Sequence, residues 1–102
     1  MELKDIKNFL KELKQDDFSF DTHFYKRAKN RPVNEGMVRN FLSQIDKLEK
    51  IEHGKSRDRF KLWFKMSNKY SLVLIIEVIL SKSLKVISAW NSDKKWQKKL
   101  KQ

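Results

Sequence analysis

Cysteine is absent from the chain, which excludes disulfides and thiolate metal sites and fits a reducing compartment. One proline and two glycines in 102 residues leave little material for long irregular loops. Long apolar runs are also missing. The longest, LVLIIEVIL, spans nine residues and contains Glu77, far short of a membrane span. The N-terminal stretch MELKDIKNFLKELKQDD has acids and no uninterrupted apolar segment, so it does not read as a signal peptide. A soluble, cytoplasmic protein with no membrane partner is expected. Acidic residues are scarce as well, with 13 Asp and Glu against 24 Lys and Arg.

That imbalance is a net charge of +11, unevenly placed: +2 falls in residues 1–51 and +9 in residues 52–102. Such an excess favours polyanions through counterion release, with nucleic acid the usual partner; an anionic membrane surface or an acidic protein would answer to the same charge. Seven Phe and three Trp separate the chain from disordered basic segments, which are poor in aromatics. The length suits one domain with one modest core, residues 1–102.

Hydrophobic periodicity divides that domain. Leu3, Ile6, Phe9, Leu10 and Leu13 recur at helical spacing, predicting an amphipathic helix over 2–14 within an N-terminal arm, 1–16. The segment DDFSFD reads as a connection. Asp21 or Thr22 can cap a second helix running to about Asn30, before Pro32 turns Arg31 out of helical geometry. Asn34 caps a third, with Val38, Phe41, Leu42 and Ile45 inward, that fades between Lys47 and Ile51. HGKSRD, 53–58, reads as a loop. The period then changes to two. In RFKLWFKM, Phe60, Leu62, Phe64 and Met66 face one way, and Arg59, Lys61, Trp63 and Lys65 the other. YSLVLIIEVIL is apolar on both faces and therefore central; LKVISAW follows after a short turn. The expected fold is α+β, with N-terminal helices on one face of a small antiparallel meander. Residues 93–102 would form a lysine-rich helix or tail capped by Ser92 or Asp93.

The order H-x3-R-x3-R (His23, Arg27, Arg31), then PVNEGMV, then a meander closing on Val86, Ser88, Ala89 and Trp90, resembles small domains of the RelE/ParE-like toxin superfamily. The likeness covers about residues 20–92 and is closest to a branch with a histidine-led helix. It implies a RelE-like fold and a link to toxin–antitoxin systems. Toxins of that superfamily are mostly ribonucleases, often acting on translated messenger RNA, although others poison gyrase.

Metal-independent RNA cleavage needs a base for the 2′-hydroxyl, an acid for the leaving 5′-oxygen and cations for the phosphate. His23 has the titration range for the first two, and Arg27 and Arg31 the planar fork for the third. Equally, His23 can serve the helix start, with both arginines solvated or paired to Asp21, Glu35 or Asp46. His53 is the other imidazole and reads as an exposed loop residue. Two histidines without cysteine or a carboxylate cluster make a poor metal site, and no cofactor is expected. Arg57, Arg59, Lys61, Trp63 and Lys65 mix cations with an aromatic, as does an RNA-contacting sheet surface. Lys94, Lys95, Lys98 and Lys99 would add non-specific phosphate contacts or a dock for an acidic antitoxin. Glu77 needs a partner if buried, either as a general base or, more commonly, in a salt bridge to an arginine. Two functions follow: an endoribonuclease toxin acting on RNA, free or ribosome-bound, or an RNA-binding module without chemistry using the same basic surface.

Overall fold

Three short apolar stripes decide where the helices sit. The computed structural model describes residues 1–93. Helix α1, Leu3–Glu12, buries Ile6, Phe9 and Leu10, and the Asp5 carboxylate accepts from the Glu2 backbone N–H at 3.4 Å. Helix α2, Thr22–Ala28, buries Phe24 and is capped by Asp21, whose side chain accepts from the Thr22 N–H at 3.0 Å. Helix α3, Glu35–Leu42, buries Val38 and Leu42; the Asn34 side chain accepts from the Met37 N–H at 2.9 Å. These caps satisfy amide donors that have no partner within the first helical turn.

The strands are β1 (Phe18–Phe20), β2 (Leu48–His53), β3 (Arg59–Lys65), β4 (Tyr70–Ile79) and β5 (Ser83–Asp93), in the order β1-β5-β4-β3-β2. β1 runs parallel to β5, whereas the other pairings are antiparallel. The described residues thus form an α+β fold, three helices with a five-stranded mixed sheet, and the expectation of a small antiparallel meander is corrected. DDFSFD is not a mere connection: after a single 3-10 turn, Gln15–Asp17, Phe18 and Phe20 lie opposite Leu84 and Val86. The third helix ends at Leu42, and what had been read as its fading tail is a 3-10 turn, Ile45–Lys47, followed by β2. Asn91, Ser92 and Asp93 continue β5, and the helix that Ser92 or Asp93 was expected to cap lies outside the described residues. The remaining tail, with Lys94, Lys95, Lys98 and Lys99, lies outside the described residues.

One face of the sheet meets the helices. Phe60, Leu62 and Phe64 stand opposite Ile76, Leu74 and Leu72, and all six are fully buried. With Leu84, Val86 and Ala89 of β5, they join Ile6, Phe9, Leu10, Phe24, Val38 and Leu42 in one core cluster. β4 is central, as its two apolar faces require. Val73 and Ile87 are also buried but stand outside that cluster.

A polar clasp holds the helices to the β1 edge. Arg39 donates to Glu35 at 2.9 Å, to the Gln15 carbonyl at 2.8 Å and to the Phe18 carbonyl at 3.5 Å. Its guanidinium lies 5.1 Å from the Phe20 ring centroid, and Tyr25 donates its hydroxyl to the same Glu35. One arginine thereby joins α3 to the chain entering β1.

Candidate nucleic-acid interface

The second face of the sheet is organised by register. Lys50 pairs with Trp63, Trp63 with Val73, and Val73 with Trp90, so one row carries two indoles with a buried valine between them. The next row runs Glu52, Lys61, Ile75 and Ser88, and a third carries Arg59, Glu77 and Lys85. Lys50, Arg59, Lys61 and Lys85 against Glu52 and Glu77 leave these rows with an excess of cations. That sign suits a polyanion.

Trp90 reaches this face because of a one-residue bulge. Ile75 pairs with Ser88 but Ile76 pairs with Val86, so Ile87 is extra on β5. Strict alternation from Leu84 and Val86 would have turned Trp90 toward the helices. After the bulge Ala89 lies opposite the core residue Leu74, and Trp90 lies opposite Val73. A single-residue shift of this kind exchanges the faces of everything beyond it.

Cations already occupy the indoles. The Lys61 ammonium stands 4.8 Å from the Trp63 ring centroid and 5.5 Å from that of Trp90, and Lys50 stands 5.5 Å from Trp63. Trp63 donates its indole N–H to Glu52 at 2.7 Å, which fixes the ring's orientation; both tryptophans are half-buried. Arg59 donates to Glu77 at 3.1 Å. The carboxylate in the apolar strand therefore has an arginine partner, of the kind its position in the sequence requires. Lys65 and Arg57 are exposed, the latter in the loop between β2 and β3.

The H-x3-R-x3-R residues separate. His23 is exposed on α2, and Arg27 is exposed one turn later. Arg31 lies beyond the helix, where its Nη1 donates to the Ala89 carbonyl at 3.0 Å and the Ser88 hydroxyl at 3.3 Å. Its guanidinium carbon is 5.9 Å from the Trp90 ring centroid. Arg27, Arg31, Pro32, Trp90 and Asn91 together line an open cleft of about 540 Å³, and His23 is not among its lining residues. Asn91 Oδ1 is buried without a hydrogen-bond partner among the described residues. His53 is the last residue of β2 rather than part of the loop, its ring 5.4 Å from that of Phe60. Tyr70 opens β4 and is exposed.

No group of three or more His, Cys, Asp or Glu side chains is set to hold a metal among the described residues. No helix among them is long and apolar enough to cross a membrane.

Trp63, Lys61, Arg59 and Lys65 share the strand face that the alternation of β3 predicts, whereas Lys50 and Lys85 carry no such signal and Trp90 enters only through the family likeness. The alternation of β3 was the available signal. Nothing comparable marks Trp90, whose face depends on the bulge. No protein-family model, curated protein or solved structure matches the chain.

Proposed function

We propose that this protein binds single-stranded nucleic acid, RNA foremost, on the sheet face centred on Trp63, Lys61 and Trp90, as a module without chemistry of its own. The observation that carries this reading is the register Trp63–Val73–Trp90 with Lys61 over both rings. Two strand spacings separate the indoles by roughly 10 Å. Bases stacked in a helix follow one another at ~3.4 Å, so the two rings suit bases splayed from an extended strand. A duplex keeps its base faces covered and offers the indoles nothing. A base arriving on either ring displaces the flexible Lys61 ammonium toward the adjoining phosphate, exchanging a cation–π contact for a charge-assisted one.

The test is fluorescence anisotropy with a labelled 12-nucleotide single strand and the matching duplex, across a salt series. The single strand binds more tightly, and Trp63→Ala and Trp90→Ala each weaken it by about 1–3 kcal/mol, the range for one stacked base. Lys61→Gln reduces the salt slope by about one phosphate contact. Equal binding of duplex and single strand, indifferent to both tryptophans, would leave only diffuse charge attraction and sink the reading.

A second reading, metal-independent RNA cleavage of the RelE-like toxin kind, is supported by one feature: His23 lies a single helical turn before Arg27, which lines the cleft beside Trp90. His23 would exchange a proton with the 2′-hydroxyl or the 5′-oxygen while Arg27, with Arg31, held the phosphate. An acidic antitoxin would then compete with RNA for the basic face. Purified protein incubated with RNA without added metal decides this, since His23→Ala lowers cleavage by about a hundredfold and leaves RNA affinity unchanged.

A further inference from the structure

The cleft at the end of the tryptophan row has the composition of a nucleotide site. Its lining offers two guanidinium groups, an indole, a proline ring and a carboxamide, with no carboxylate among the described residues. Its volume, about 540 Å³, falls within the ~300–1,000 Å³ usual for small-molecule sites. The two arginines are not equivalent. Arg31 is committed to Ala89 and Ser88, and it braces the β5 edge next to Trp90. The Arg27 side chain makes no hydrogen bond or ion pair among the described residues and is exposed, so its fork is available to a phosphate without breaking a contact. Asn91 contributes a buried amide oxygen that lacks a donor among the described residues. Rotation about its soft terminal torsion is cheap, and an N–H on a base edge would relieve the acceptor.

We infer that this cleft holds one nucleotide, with its phosphate on Arg27, its base against Trp90 and its base edge toward Asn91. The inference deepens the single-strand reading and rests on it: the nucleotide is one unit of the bound strand, and a free nucleoside monophosphate is the minimal ligand. Arg27 is then a binding residue and Arg31 a positioning residue, two roles that their shared spacing in the sequence does not distinguish.

The experiment is an NMR titration of the full chain, following the indole N–H signals of Trp63 and Trp90 and the Arg27 side-chain N–H. The probes are AMP, UMP, the corresponding nucleosides and inorganic phosphate, followed by a 12-nucleotide single-stranded RNA. The expected result is that the monophosphates shift Trp90 and Arg27 while leaving Trp63 unmoved, and that nucleoside or phosphate alone binds more weakly. Arg27→Gln, a change at an exposed position, then weakens the monophosphates by about five- to tenfold, as fits loss of a partly solvated charge-assisted hydrogen bond. Trp63→Ala leaves the monophosphates unaffected but weakens the RNA. If inorganic phosphate binds as well as AMP and UMP, the site is an anion site and the inference falls. If RNA binds with the tryptophan dependence given above while the monophosphates leave the cleft signals unmoved, the inference falls and the sheet-face reading stands. If neither RNA nor monophosphate binds, both fall.

Discussion

Arg31 donates to the carbonyl of Ala89 across 58 residues of chain, at 3.0 Å. Ala89 is almost wholly buried, and this contact lies immediately beyond the β5 bulge that turns Trp90 outward. Arg31→Met strands that carbonyl and is expected to cost about 1–3 kcal/mol, the range for an abandoned buried acceptor. Arg31→Lys, which keeps a charged donor, costs less. Urea denaturation of the two variants measures the difference. A loss of RNA affinity with stability unchanged would instead make Arg31 a direct phosphate contact.

Glu77 and Arg59 face each other across β3 and β4 and are bonded at 3.1 Å, with both side chains about a third exposed. Solvent screens such a pair, so Glu77→Gln is expected to cost no more than about 1 kcal/mol. RNA affinity should remain within about twofold of wild type. If RNA cleavage is found, the same variant should leave its rate unchanged, because Glu77 is an ion-pair partner and not a base. A hundredfold fall in rate would restore the general-base role.

Tyr25, Glu35 and Arg39 give the protein a pH response at both ends. The Tyr25 hydroxyl first, then Arg39, holds the Glu35 carboxyl below its ordinary range, so its contribution is intact above that range and is lost as pH falls through the lowered value. The hydrogen bond to Glu35, more than desolvation, raises the Tyr25 hydroxyl above its ordinary value. Its contribution is intact below the ordinary tyrosine range, about pH 10, and is lost as pH rises through the raised value. Thermal melts from about pH 3 to 11 should therefore show a plateau that declines at both ends. Tyr25→Phe should lower the plateau, flatten the alkaline decline and weaken the acidic one; Glu35→Gln should flatten the acidic decline and, by removing the cause of the raised tyrosine value, the alkaline one as well.

Leu80 and Ser81 turn the chain from β4 to β5 with φ of 52° and 58°, and the Lys82 N–H closes the turn on the Ile79 carbonyl at 3.0 Å. These signs belong to a type I′ turn, which suits Asn and Gly. Leu80 is also 86% exposed, so its side chain returns little for the strain. Leu80→Asn should stabilise the protein by about 0.5–1 kcal/mol, recovering part of the ~1–2 kcal/mol cost of left-handed backbone in an L-residue. A fall in melting temperature would show that the exposed leucine contributes an unrecognised contact.

The elements with strong periods were legible in the sequence. Ile6, Phe9 and Leu10 repeat at helical spacing, Asn34 sits at a helix start, and Phe60, Leu62 and Phe64 alternate with charges. Each pattern is local, because burial on one face of one element requires nothing from distant residues. The edge strands were not legible. β1 has three residues and depends on a partner 66 positions later. β2 carries the charges of an edge strand in LEKIEH, with a register shift between Leu48 and Lys50 that breaks its alternation.

By itself, then, the chain determined its positive charge, its α+β order and the tryptophan–lysine face of β3, all of which follow from composition and short-range period. The tertiary structure decided that β1 inserts parallel beside β5, that Arg31 braces an edge while Arg27 stays exposed, and that Trp90 joins Trp63. The physical reason is common to all three. Pairing partners and a one-residue bulge are set by contacts far apart in sequence, and a shift of one residue moves a side chain from one face of the sheet to the other.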